Sequence, residues 1–185
     1  MSDPVTALNG ARAPGYVTVT EAPPIGMITL RCRGDVGPAL AALKLPLPGP
    51  RRIETGAGGG VAWMSPDEWL ILIPRDRVGA VLAGLAEALQ DVPHLAVDVS
   101  DARAVLWLEG DKVREVIAKA APVDMAPGVF EPGEVRRTRA AQIAVAFWMV
   151  DARTVELICF RSVARYAFDL FATLSQPGAE VGLFD

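Results

Sequence analysis

Residues 95–120 read LAVDVSDARAVLWLEGDKVREVIAKA, and the fold is decided there. Leu95 to Val99 and Ala104 to Leu108 are short apolar, β-branched runs of strand length, separated by polar residues. After Gly110 the apolar residues fall at Val113, Val116, Ile117 and Ala120, the spacing of one helix face, and Asp111 suits the positive end of that helix's dipole. Strand, strand, helix is not the repeating unit of a doubly wound parallel sheet. Short mixed units of this kind favour helices laid on one face of mainly antiparallel sheets.

The same grammar extends both ways. Downstream, Ile143, Val145, Phe147 and Met149 alternate onto one strand face, residues 151–154 make a turn, and Val155 to Phe160 returns beside them. A last helix is expected from Ser162, its cap, with Val163, Tyr166, Ala167, Leu170, Phe171 and Leu174 on one face. Upstream, Ile25 to Arg33 and Glu68 to Ile73 read as strands and Val36 to Leu43 as a short helix. Val78, Val81, Leu82, Leu85 and Leu89 form an amphipathic helix. The predicted class is α+β, two small lobes of mainly antiparallel sheet with helices on one face. The expected divisions are an extended N-terminal arm over 1–24, a first lobe over 25–93, a second over 94–176 and a tail over 177–185.

At 185 residues the chain can bury about 70% of its unfolded surface and needs no metal or disulfide to hold a core. Apolar residues make up 51%, yet the longest apolar stretch, Ala140 to Val150, is short and interrupted by Gln142, which excludes a transmembrane helix. The amino terminus lacks the basic flank and apolar run of a secretory signal, and there are two cysteines, so a cytoplasmic protein with reduced thiols is expected. A net charge of -4 argues against nucleic acid as partner, because such binding rests on a surplus of Lys and Arg. The cluster Arg136, Arg137 and Arg139 reads as a solvated strand edge or an interface rim. A high apolar content without a membrane span fits a chain that buries surface against other proteins.

Familiar chemistries find no support. The single histidine, His94, follows Pro93 in a turn, without a nucleophile beside it. Cys32 and Cys159 stand alone in strand-like runs, unlike zinc ligands. The glycine run Gly56 to Gly60 has neither the following Lys-Ser/Thr of a phosphate loop nor the helix of a dinucleotide fold, and reads as a pliable hairpin. Trp63, Trp69, Trp107 and Trp148 read as core or interface anchors rather than stacking faces for a flavin or pterin.

One constellation is more specific. Val97-Asp98-Val99-Ser100-Asp101-Ala102-Arg103, then Leu108-Glu109-Gly110, the helix from Val116 to Lys119, and Pro122-Val123-Asp124 resemble the strand, glycine turn and helix of the folate-binding aminomethyltransferase superfamily, which includes the glycine cleavage T-protein. With Pro66-Asp67-Glu68-Trp69-Leu70 upstream and Arg161-Ser162 and Tyr166 in the closing helix, the chain is similar to the sarcosine oxidase gamma subunit family over about Ile25 to Phe171. Ala121 and Ala126 stand where that family is associated with Cys and His.

The resemblance implies a bacterial heterotetramer that oxidatively demethylates sarcosine to glycine and passes the one-carbon unit to tetrahydrofolate. FAD, FMN, NAD and tetrahydrofolate would sit on the other subunits and none on this chain, whose implied task is structural. The alternative is a stand-alone folate-dependent aminomethyltransferase in which Asp98 handles protons at the folate nitrogen. Against it, Asp98 and Ser100 suit the satisfaction of backbone donors at a strand end, and the chain ends soon after Leu174, without the long portion that completes a folate cavity. Trp69, Arg103 and Arg161 are the candidate interface or lobe-ordering residues, the two arginines because guanidinium groups make forked bonds to carboxylates and carbonyls.

Overall fold

The computed structural model describes residues 5–184. The first four residues of the expected arm and the last of the expected tail lie outside them. In chain order the strands begin with β1 (Arg12–Ala13), β2 (Thr18–Glu21) and β3 (Gly26–Cys32), followed by helix α1 (Gly37–Ala42). Strands β4 (Ile53–Gly56), β5 (Gly59–Ser65) and β6 (Glu68–Ile73) lead to α2 (Val78–Ala88) and β7 (His94–Asp98). Next come β8 (Arg103–Glu109), α3 (Val113–Ala120), β9 (Val135–Ala140), β10 (Ile143–Asp151), β11 (Thr154–Phe160) and α4 (Ala164–Leu174). No helix among the described residues is long and apolar enough to cross a membrane.

The chain divides into two compact units, one of them Pro24–Asp101. It holds a five-stranded sheet in the order β4-β5-β6-β3-β7, antiparallel at every pairing. Alternate residues of β3 and β6, namely Ile28, Leu30, Trp69, Ile71 and Ile73, form a core with Leu40 of α1 and Val78, Val81 and Leu85 of α2. Both helices therefore serve one sheet face, as the antiparallel reading requires. Strand β6 is buried along its whole length, Leu70 and Leu72 included, which explains why it reads as an unbroken apolar run rather than an alternation.

The glycine run is the β4–β5 hairpin, with Gly56 opposite Gly59. Gly59 has φ +144°, and a Cβ there would lie 2.4 Å from the Leu72 carbonyl oxygen and 2.6 Å from Ile73 Cγ2. Here glycine is required by backbone geometry and close approach.

The other unit comprises the described residues up to Pro23 together with those from Ala102 onward. Its six-stranded sheet runs β1-β2-β8-β11-β10-β9, again antiparallel throughout. Leu106, Leu108, Leu157, Phe147 and Met149 pack under Val113, Val116 and Ile117 of α3 and Ala167 and Phe171 of α4. Phe130 meets Phe147 edge-on at 5.6 Å between ring centroids.

Three expectations are corrected. The segment assigned to an N-terminal arm over 1–24 contains β1 and β2, and β2 pairs with β8 from Thr18↔Glu109 to Glu21↔Leu106. Only long-range pairing reveals a four-residue strand, so local pattern could not show it. The boundary at Pro93 falls one strand early, because β7 pairs with β3 from Ile28↔Asp98 to Cys32↔His94 and belongs to the first sheet. Pro93 marks the end of a helix connection, not of a unit. Finally, Ser162 makes no capping bond: a 3-10 turn over Arg161–Val163 precedes α4.

Replacing Gly59 with Ala should lower unfolding stability by about 1–3 kcal/mol in urea titrations. Gly79→Ala, in α2 with nothing near the added methyl, should raise it by about 0.5 kcal/mol.

Candidate functional site

Asp98 ends β7, and its exposed carboxylate turns back on the chain. Its Oδ1 accepts the Ser100 N–H at 2.9 Å and the Ser100 hydroxyl at 2.5 Å. The buried Ser100 Oγ in turn accepts the Met27 N–H at 2.9 Å, at the start of β3. Asp98 and Ser100 thus close an Asx-type turn that ties the end of β7 to its neighbour strand. Next to it, Arg75 pairs with Asp101 at 2.5 Å. The residue that the resemblance offered as a proton handler is engaged as a backbone clamp.

Arg103 and Arg161 are brought together in the six-stranded unit, whereas Trp69 belongs to the other unit. Arg103 stands opposite Phe160 in the β8–β11 register, its guanidinium 5.4 Å from the centre of that ring. The next residue, Arg161, donates to the carbonyls of Val5 at 2.9 Å and Thr6 at 3.2 Å. Its backbone N–H reaches the Ala102 carbonyl. One end of the six-stranded sheet therefore carries two guanidinium groups beside exposed apolar side chains, Phe160 at 50% and Val5 at 62% exposure. Such a mixture of aromatic, aliphatic and arginine side chains is what protein contacts favour. Trp69 is 8% exposed within the core of the other unit, so it orders that core and offers no surface in this chain.

The polar centre that pattern reading missed lies on α3. Glu115 is 1% exposed, and its carboxylate accepts the N–H groups of Val181 at 3.0 Å and Leu183 at 3.2 Å. Lys119, one turn on, pairs with it at 3.1 Å. The ammonium also donates to the Tyr16 hydroxyl at 2.6 Å and to the Ala179 carbonyl, while the Tyr16 hydroxyl donates to the Leu174 carbonyl at 2.9 Å. Burial alone pushes the Glu115 carboxyl up, but bonds from Val181, Lys119 and Leu183 outweigh it and hold it at about 2. Burial pulls Lys119 down, and its bonds to Tyr16 and Glu115 more than reverse that.

These charges fasten the segment after α4 to α3. Beside them Arg114, also buried, donates to the carbonyls of Met125 at 2.9 Å and Phe130 at 2.6 Å and fixes the loop after α3. A helix-face count assigns both charged residues to solvent. The one available signal was the i,i+4 spacing of Glu115 and Lys119.

The other titratable candidates are likewise engaged. His94 Nδ1 lies 2.9 Å from the carbonyl of Val92. Both cysteines are buried, and burial pushes the Cys159 thiol up to about 11, far from a nucleophilic thiolate. Glu156, on β11 between Trp107 and Trp148 of the flanking strands, is raised by burial against a bond from Trp107. No group of three or more His, Cys, Asp and Glu among the described residues could hold a metal ion.

The model of the sarcosine oxidase gamma subunit family matches residues 35–176. Sarcosine oxidase subunit gamma of an Arthrobacter species is 34% identical over 120 residues, which is 62% of this chain and 58% of that protein. Its counterpart from Corynebacterium sp. strain P-1 is 38% identical over 92 residues, 49% of this chain and 44% of that protein. The match thus spans about half the length of these curated relatives.

Among solved structures, heterotetrameric sarcosine oxidase from Corynebacterium sp. U-96, in complex with pyrrole 2-carboxylate, contains a chain 26% identical with TM-score 0.79. The match covers 93% of this chain and 91% of that one. A glycine cleavage aminomethyltransferase T from Bartonella henselae matches at 12% identity and TM-score 0.59, over 82% of this chain and 44% of that one, a likeness of fold alone.

The folded-state Glu115 carboxyl titrates below its ordinary 4.5, so its stabilisation is complete above about pH 4.5 and is lost as the pH falls towards 2. At pH 7 Glu115→Gln should cost about 3 kcal/mol by leaving the largely covered Lys119 ammonium without its counter-charge. Denaturant titrations at pH 7 and pH 3 should show this difference shrinking in acid.

Proposed function

The chain belongs to the sarcosine oxidase gamma subunit family, and we propose that it serves as the structural, non-catalytic subunit of a heterotetrameric sarcosine oxidase. In that complex, larger subunits carry FAD, FMN, NAD and tetrahydrofolate, demethylate sarcosine oxidatively to glycine and transfer the one-carbon unit to tetrahydrofolate. The observation that carries the proposal is the end-to-end match to a chain of a heterotetrameric sarcosine oxidase, 93% of this chain against 91% of that one. The chemistry of the side chains supports it. Asp98 is used in a turn, Glu115, Lys119 and Tyr16 in holding a terminal segment, and the Cys159 thiol is kept protonated.

The end of the six-stranded sheet with Arg103, Phe160 and Arg161 would meet a larger subunit. Arg161 holds the segment at Val5 and Thr6 in place, and Arg103 stacks on Phe160. A surface built this way suits a permanent partner, because the arginines hold the aromatic and aliphatic side chains in fixed positions before contact.

The test is to co-express the tagged chain with the larger subunits and to follow visible absorption and sarcosine turnover of what elutes. A yellow, sarcosine-oxidising complex is expected, and a colourless chain eluting by itself would overturn the proposal. Within such a complex Asp98→Ala should leave the turnover number within about twofold, since the carboxylate is spent on a backbone turn. Arg103→Ala should lower the yield of assembled enzyme without changing the flavin content per complex.

A further inference from the structure

Among the described residues strand β9 ends the six-stranded sheet, pairing with β10 on one side only, from Ile143↔Ala140 to Trp148↔Val135. Alternate residues of such an edge direct N–H and C=O groups outward, where an added strand can take them. The strand reads Val135-Arg-Arg-Thr-Arg-Ala140, three positive charges and no acid, in a chain whose net charge is -4. Arg137 and Arg139 are exposed and, two residues apart, stand on the same face. Arg139 bonds the neutral amide of Gln142 at 3.0 Å. Arg136 reaches Glu134 at 3.7 Å and lies over the Phe130 ring at 4.9 Å, which fixes the start of the strand.

A second copy of this chain is a poor occupant, because antiparallel pairing of this strand with itself would set arginine opposite arginine. An extended segment bearing Asp or Glu at alternate positions pairs with the open backbone and sets carboxylates beside the two exposed guanidinium groups, whose geometry suits paired hydrogen bonds to carboxylate. Resting on the subunit reading above, we infer that the free edge of β9 receives an acidic, extended segment of a larger subunit as an added strand, with Arg137 and Arg139 selecting it.

The test uses the co-expressed complex, with assembly affinity measured at low and high NaCl for four chains: wild type, Arg137→Ser/Arg139→Ser, Arg137→Glu/Arg139→Glu, and Arg165→Glu. The last is a charge control on α4, where Arg165 pairs with Asp169 at the surface. Neutralisation should weaken assembly about tenfold and flatten its salt dependence, reversal should weaken it further, and the control should match wild type. A photo-crosslinker at position 139 should capture an acidic stretch of a larger subunit.

Both β9 variants assembling like wild type, or a crosslink to a second copy of this chain, would overturn the inference while leaving the subunit reading intact. A wild-type chain that joins no larger subunit would remove the reading and the inference together.

Discussion

The pairing of β8 with β11 is the constraint on which the described surface depends. Its register runs without interruption from Thr154↔Glu109 to Phe160↔Arg103, at the centre of the six-stranded sheet. Leu106 and Leu108 on one strand and Leu157 and Cys159 on the other fill the core beneath α3 and α4. Because a one-residue slip would turn each of these outward, the hydrophobic pattern fixes the register. The register in turn sets Arg103 against Phe160 and delivers Arg161 to the carbonyls of Val5 and Thr6. β8 also receives β2, which secures the N-terminal segment to the same sheet.

Burying Glu115 and Lys119 is the second constraint. Two charges taken from water are tolerable only when every remaining lone pair and proton finds a partner. Here the partners are the N–H groups of Val181 and Leu183, the Tyr16 hydroxyl and the carbonyl of Ala179. The consequence is specificity of position: the segment after α4 lies where its backbone groups complete the cluster. Val181 and Leu183, whose N–H groups point inward, keep their side chains largely exposed.

Much of this was legible from residues alone, and the rest failed for identifiable reasons. The amphipathic spacing of α2, α3 and α4 and the alternation in β10 carried the α+β, antiparallel reading, because each element contains its own period. The assignment of β7 to the first sheet and of β1 and β2 to the second depends on partners far along the chain, and a segment such as Thr18–Glu21 has no period of its own to announce them. Asp98 and Ser100 were legible as backbone partners at a strand end, since short polar side chains two residues apart make such turns. Arg114 and Glu115 were not, because a helix wheel counts charge as exposure and cannot foresee that a loop and a tail will cover it. Trp69 was singled out with the two arginines, yet it sits on a fully buried strand and packs into the core of its own unit.

A subunit reveals itself by mass. The most direct measurement is native mass spectrometry of the flavin-containing particle purified from cells grown on an N-methylated amine. One 19.6 kDa chain is expected in a particle with larger subunits, released as a single copy on activation. A flavin-containing sarcosine oxidase particle lacking that mass, with the chain recovered separately, would contradict the subunit reading.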